Sequence, residues 1–375
     1  MATYLKTTEI SIDGAHTLPR EYYTAPDIYA QEMERIFRRR WLCIGREDRI
    51  PAPGDYVLQP VGQDSVIVLR DKAGGVRAFH NVCRHRGTRL CEESTGRLSE
   101  TIQCPYHAWT YALDGRLLGA PSTSDLEGFD RADWPLFAVA TAVWEGFVFI
   151  NLAEQPEPFE QAWAPLLGKF SRFNLANLKV GRRLEYEVQA NWKLLLQNYS
   201  ECYHCGPVHP ALARITPPTS GENDLIEGPF TGGYMVIGRG AESLTMSGRA
   251  CGVPVGELAE EDMTRVYYYA LFPNMLLSLH PDYVMFHTLW PEGTGRTRIF
   301  CSWLFHPATL SDPTFNPDDG VEFWDMTNRQ DWHICEQSQL GVQSSAYRPG
   351  PYSKREAISV QIDREVLKSL GHVGR

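Results

Sequence analysis

Two short runs, Cys83-Arg84-His85 and Cys104-Pro105-Tyr106-His107, stand eighteen residues apart and bring two thiols and two imidazoles into one part of the chain. Ligand pairs spaced this closely need tight loops, and each run follows a stretch with strand character. The patterns at 55–59, 64–70 and 76–80 read as strands, with the Gly-rich segment 71–75 as a hairpin turn. Further strands are expected at 101–103, 110–118 and 143–152. Two loops that must present ligands towards one point thus constrain this region to a β-rich fold. The four ligands permit a mononuclear zinc ion. They equally permit a two-iron, two-sulfur cluster with cysteines on one iron and histidines on the other.

A second constellation lies in the stretch from Asn198 to Pro210, which holds Glu201, His204 and His209. Residues 192–204 read as a helix, on which Glu201 and His204, at i and i+3, share a face. Gly206-Pro207 is expected to end that helix and let the chain bend His209 back towards His204. Two neutral imidazoles with carboxylates in reach suit a divalent first-row metal. A Pro/Glu-rich stretch at 154–160 marks a domain boundary ahead of this region. Residues 27–41 carry helical periodicity, with Asp27 as a cap and arginines 38–40 at the C-terminal end. Beyond the boundary, 185–189, 234–238, 265–271, 275–279, 283–290 and 297–305 read as strands. Segments 321–340 and 354–370 read as helices, and 214–228 as a loop that lines or covers a pocket.

A chain of 375 residues, 43% hydrophobic and 22% charged, has ample material for the cores of two or three domains. Its net charge of −10 argues against a nucleic-acid or anionic-membrane surface. The longest mostly apolar run, 138–153, contains Glu145 and Gly146 and is too short to span a bilayer. Nine cysteines with no recognisable export signal favour reduced thiols in the cytoplasm. Cys43, Cys91, Cys251, Cys301 and Cys335 read as ordinary buried thiols. No GxGxxG opens a helix, so nicotinamide or flavin chemistry has to come from another protein.

The flanks of the first constellation, Asn81-Val82-Cys83-Arg84-His85-Arg86-Gly87 and Cys104-Pro105-Tyr106-His107-Ala108-Trp109, resemble those of the Rieske non-haem iron oxygenases. The likeness to these large catalytic subunits runs from Phe37-Arg38-Arg39-Arg40-Trp41 to the C-terminal helix. The spacer between the ligand pairs is slightly long for the family, which points to a longer loop around 92–100. Tyr106 stands where the respiratory Rieske proteins carry an extra cysteine, and Cys91 is displaced, so the oxygenase type fits better. The resemblance implies an α+β fold: a Rieske-type antiparallel β domain at 41–155 and a helix-grip-like catalytic domain with a central antiparallel sheet at 156–375. Residues 1–40 would be a helical segment of the catalytic domain.

The resemblance further implies that Cys83, His85, Cys104 and His107 hold a [2Fe-2S] cluster. His204, His209 and Asp331 would hold a mononuclear Fe(II), with Asp331 on a late helix and Glu336 its competitor on register. His333 is expected to be an ordinary helix residue, and Cys202 and Cys205 to stay off the metal. Glu201 would bridge the centres, bonded to His204 on one side and to His107 of the partner subunit on the other, which requires a homotrimer. Electrons would come from NAD(P)H through a separate flavin or iron–sulfur reductase, with O2 as co-substrate. The stretches Asn191-Trp192-Lys193-Leu194 and 201–210 look most like the members that oxidise betaines, with N-demethylation and release of formaldehyde. Tyr203, Tyr267, Tyr269, Phe286, Trp290 and Trp303 are the aromatics available to cage a quaternary ammonium. Arg214 or Arg239 would meet a substrate carboxylate. The same fold also serves aromatic acids, by ring dihydroxylation or O-demethylation.

Overall fold

A computed structural model describes residues 3–372. Two compact units divide the chain: Phe37–Ala162, and the residues up to Ile36 together with those from Trp163 onward. All paired strands are antiparallel, in an α+β arrangement.

In the first unit a seven-stranded sheet runs in the order Leu42–Arg46, Phe147–Asn151, Ala138–Trp144, Val76–His80, Asp64–Arg70, Asp55–Val61, Thr95–Arg97. A three-stranded sheet of Thr101–Gln103, Thr110–Ala112 and Leu117–Gly119 stands beside it in sequence. The single strands expected at 110–118 and 143–152 are instead hairpin elements. Asp114-Gly115 breaks the first, with Gly115 at φ 89°. Glu145 and Gly146, both at positive φ (51° and 75°), make the two-residue turn of the second. One hydrophobic core joins Ile67, Phe79, Ile102, Trp109 and Tyr111, and both Cys83 and Cys104 are embedded in it.

The second unit is built on an eight-stranded sheet. Its order is Leu5–Lys6, Glu222–Glu227, Phe230–Val236, Arg265–Leu271, Met275–Leu279, Val284–Pro291, Thr297–Phe305, Lys179–Val188. The segment expected to be loop from 214 to 228 therefore contains an edge-proximal strand, preceded by the helix Pro210–Ile215. Val284–Pro291 is buried at every position, which explains why its sequence lacks alternation. Helix Trp192–Tyr199 packs against both Asp318–Gln343 and Ala357–Leu370. The last of these begins after a Ser353/Glu356 capping box and stops at Gly371, whose φ of 75° supplies the left-handed C-terminal residue. No helix among the described residues is long and apolar enough to cross a membrane.

Near the N-terminus the expected helix over 27–41 is shorter. Pro26 opens it at the first helical position, with Ala25 as the cap, so Asp27 sits in the first turn instead of capping it. The α-helix ends at Glu32, and a π-helical turn, Met33–Phe37, follows. Glu32 is fully buried and anchors the helix that leads to the second constellation. It accepts from Lys193 Nζ at 2.5 Å and from Trp192 Nε1 at 2.9 Å, and both side chains of the ion pair have no solvent exposure. Burial lowers the Lys193 pKa, with Glu32 opposing the shift. Removing one partner of such a pair strands a buried charge, at a cost of about 3–5 kcal/mol. Lys193→Ala should lower the melting temperature by roughly 10 °C in calorimetry. A shift below a few degrees would show that the pair is not an anchor.

Candidate metal centres and the adjoining cavity

In the unit from Phe37 to Ala162, the two ligand loops share one backbone design. In the first, Cys83 N–H donates to Thr88 O (2.8 Å) and Gly87 N–H to Cys83 O (3.0 Å). In the second, Cys104 N–H donates to Trp109 O (2.8 Å) and Ala108 N–H to Cys104 O (3.1 Å). The residue four beyond each cysteine has positive φ: Gly87 at 74° and Ala108 at 57°. Each loop thus turns back on itself and presents its Cys and His on the same side.

The His85 and His107 rings lie 4.8 Å apart between centroids. His85 also stacks on Trp109 at 5.0 Å and an interplanar angle of 4°. Tyr111 OH lies 3.4 Å from Cys83 Sγ and receives the Arg84 N–H. His107 Nδ1 is buried without a hydrogen-bond partner, as expected of a nitrogen shaped to bind a metal. Two cysteines and two histidines on paired loops are the donor set of a two-iron, two-sulfur cluster with one residue type on each iron.

In the other unit, helix Trp192–Tyr199 starts at Asn191, whose side chain caps Lys193 N–H. It stops five residues earlier than expected. Ser200 Oγ turns back onto Leu196 O, and the Glu201 carboxylate accepts from the N–H groups of Tyr203 and His204. Ending the helix here redirects the chain. A new short helix, Cys205–Val208, contains Pro207, whose missing N–H is harmless in a first turn. Pro207 thus helps start a helix rather than ending one. Glu201 and His204 meet through this turn, with His204 Nδ1 donating to Glu201 Oε1 at 2.6 Å.

Asp331 projects from helix Asp318–Gln343, and its Oδ1 lies 2.8 Å from His209 Nε2 and 3.2 Å from His204 Nε2. All three ligand atoms fall within 4.8 Å of one another. His209 Nδ1 donates to Gln330 Oε1 at 2.8 Å. With both Nδ1 atoms engaged by acceptors, both Nε2 atoms face inward as lone-pair donors. Burial disfavours an imidazolium at His204, but Asp331 and Glu201 outweigh it and raise its pKa to about 10. Burial also pushes the Asp331 pKa up, and the two histidines overcome it to hold the carboxyl low. Two carboxylates in a buried site call for a cation, and two imidazoles with one carboxylate are the facial donor set of Fe(II) oxygenases. Glu336, the competing carboxylate, is spent on Gln189 N–H at 3.0 Å. His333 is exposed.

Nothing in the residue pattern pointed to Gln330 beyond its place beside Asp331. Nor did it point to the disulfide that joins Cys202 and Cys205, expected as reduced thiols. The turn between them brings their Cα atoms to 4.9 Å, a separation that permits the bond. Cys251 is partly exposed where a buried thiol was expected; the other four are buried.

A cavity of about 440 Å³ adjoins the three ligands. Trp324, Thr327 and Asp331, at i, i+3 and i+7 of one helix, form part of its wall, and Tyr199, Tyr268 and Ala270 form another. Tyr268 makes edge contacts with Tyr199 and Trp324, each at 6.2 Å. Of the six aromatics expected to form a cage, Tyr203 alone lines this cavity. Tyr267 and Tyr269 point to the opposite face of their strand, where they donate to Asp262 (2.6 Å) and Asp224 (3.0 Å). Arg214 and Arg239 are not in the lining; Lys6 and Arg355 are.

Paired Cys-His loops on one unit and a two-histidine, one-carboxylate set on the other are the two halves of a Rieske non-haem iron oxygenase. The chain belongs to that family, as the catalytic subunit of an oxidoreductase of the monooxygenase type. Residues 40–130 match the Rieske [2Fe-2S] domain and residues 175–370 the ring hydroxylating alpha subunit (catalytic domain). More particularly, it is 34% identical to the glycine betaine monooxygenase oxygenase subunit of Chromohalobacter salexigens, over 91% of this chain and 82% of that one. It is 38% identical to the carnitine monooxygenase oxygenase subunit of Acinetobacter baumannii over 54% of each. A crystal structure of the quaternary ammonium Rieske monooxygenase CntA superposes with a TM-score of 0.81 at 26% identity, covering 95% of this chain and 96% of that one.

His204→Ala should abolish bound mononuclear iron while the visible spectrum of the cluster stays intact; iron retained in metal analysis would refute the ligand assignment. Gln330→Leu should weaken iron binding by about 10- to 100-fold through loss of the Nδ1 acceptor. Glu336→Ala should keep iron at the level of the unmodified protein.

Proposed function

We propose that this chain is the terminal oxygenase of a two-component system that hydroxylates an N-methyl group of a betaine-like quaternary ammonium compound. The observation that carries this reading is the cavity. Aromatic rings of Tyr199, Tyr268 and Trp324 line it next to the carboxylates of Glu201 and Asp331. A quaternary ammonium cannot donate a hydrogen bond, so ring faces and nearby negative charge are what can hold it. The names of the relatives support the same substrate class. Iron held by His204, His209 and Asp331 supplies the activation of dioxygen. The protein's part is to hold the N-methyl group at that end of the cavity, limit water and fix both imidazole tautomers.

The substrate, O2, two electrons and two protons give an N-hydroxymethyl ammonium and water. The hydroxymethyl group then loses its O–H proton, the C–N bond breaks, and formaldehyde leaves a tertiary amine. The electrons come from NAD(P)H through a separate flavin or iron–sulfur reductase.

The unit Phe37–Ala162 carries the cluster on Cys83, His85, Cys104 and His107 in this proposal. The other unit carries the iron. Glu201 uses Oε1 for His204 and Oε2 for two backbone N–H groups, which leaves its carboxylate room for one more donor. In a homotrimer, His107 of the partner subunit would be that donor. A cytoplasmic setting is part of this proposal: Cys91, Cys251, Cys301 and Cys335 are thiols in keeping with it, and the Cys202–Cys205 disulfide stands against it.

Purified iron-loaded protein, coupled to a generic reductase and NADH, should release formaldehyde from a betaine in step with oxygen uptake. A cis-dihydrodiol from an aromatic acid, with no formaldehyde from any betaine, would overturn the substrate class. Glu201→Gln should keep both metals yet slow single-turnover electron transfer about tenfold or more. An unchanged rate would remove the bridge.

A further inference from the structure

The cavity has two chemically different ends. Its inner end is the aromatic and acidic region just described. Its outer end is where exposed residues enter the lining, and two of these, Lys6 and Arg355, are cations. They come from opposite ends of the sequence and have no common structural duty. Neither is drawn into an ion pair among the described residues. The Arg355 guanidinium carbon lies over the face of Tyr203, 5.8 Å from the ring centroid.

The backbone beneath each cation is fixed. Lys6 pairs with Glu222 in the sheet, and its N–H donates to Glu9 Oε2 at 2.9 Å. Arg355 N–H donates to Ser353 Oγ at 3.2 Å within the capping box that opens the last helix. Nearby carboxylates are otherwise engaged. Glu222 accepts from Tyr234 OH at 2.7 Å, and Glu356 from Ser353 N–H at 2.7 Å. Two cations on ordered backbone at the mouth of a cavity whose far end attracts a cation create a polarity from outside to inside.

We propose that Lys6 and Arg355 bind the carboxylate of the substrate at the cavity mouth, so that the enzyme selects zwitterionic betaines over quaternary ammonium alcohols. The inference rests on the quaternary ammonium reading above and adds the other pole of the substrate. With the carboxylate held outside, the ammonium is turned inward and an N-methyl group leads towards His204, His209 and Asp331. An alcohol such as choline can occupy the inner end but gains nothing at the mouth. A volume of about 440 Å³ exceeds that of a trimethylammonium group, which leaves space for a short carbon chain between the poles.

The test uses the iron-loaded full-length protein with glycine betaine, γ-butyrobetaine and choline as probes. Binding is measured by calorimetry, and turnover by formaldehyde release. The unmodified protein should prefer the carboxylate-bearing probes. In the Lys6→Gln/Arg355→Gln double variant, the ratio of betaine to choline kcat/KM should fall about tenfold, mainly through KM, the effect expected of a lost charge-assisted hydrogen bond. Lys6→Glu/Arg355→Glu should reduce the ratio further, and the preference should weaken with added salt. Arg239→Gln, outside the lining, controls for a general loss of positive charge, and the cluster spectrum reports folding. If the unmodified protein turns over betaines but the variants keep its ratio within twofold, the mouth assignment fails alone. A preference for choline in the unmodified protein would overturn it equally. Failure to bind any of the three would overturn it together with the quaternary ammonium reading.

Discussion

Two imidazoles converge on one carboxylate oxygen, and much of the catalytic unit can be understood as what makes that meeting possible. Asp331 lies more than 120 residues beyond His204 and His209, so no local rule brings them together. The helix Asp318–Gln343 must lie against Trp192–Tyr199, which in turn must be seated on the N-terminal helix. The buried Glu32–Lys193 pair and the Trp192 indole fix that seat. The outer nitrogens of both histidines are then held by Glu201 and Gln330, so ring orientation is set before any ligand arrives. Carboxylates facing the two imidazoles make a site defined by charge as well as by space.

Much of this was legible in the residues themselves. Several strand assignments coincide with the structure from end to end, among them Asp64–Arg70, Val76–His80, Arg265–Leu271 and Thr297–Phe305. These are segments where β-branched or aromatic residues run between clear turn signals. The resemblance, not spacing alone, pointed to His204, His209 and Asp331, which the structure brings together. The path of the chain between them was less legible. Glu201 and His204 were expected on a helix face, yet they meet because the Glu201 carboxylate ends the helix by taking up backbone donors. A polar side chain competing for the main chain leaves little periodic signal.

The cavity shows a different limit. Tyr267, Tyr268 and Tyr269 follow one another on a strand, so alternation guarantees that the middle ring faces opposite to its neighbours. Periodicity alone says nothing of which side holds the cavity. That is decided by the helix carrying Trp324 and Asp331, which covers the Tyr268 side. Tyr267 and Tyr269 are occupied with Asp262 and Asp224 on the other face. The candidate carboxylate partners were misplaced for a related reason. Lys6 reaches the cavity only because a two-residue strand near the N-terminus pairs with Glu222–Glu227, a strand that the Pro- and Gly-rich sequence around it concealed.

The two ligand loops of the Rieske unit close through the same main-chain bonds and the same left-handed residue four positions past the cysteine. That frame consists of peptide groups and is therefore indifferent to which side chains it displays. One loop offers its imidazole after one intervening residue and the other after two, while the turn beneath is unchanged. The chain has thus made two sockets of one pattern and fitted them with different plugs. Ligand chemistry at such a centre can diverge through changes in side chains alone, because no new folding problem is posed by the backbone that bears them.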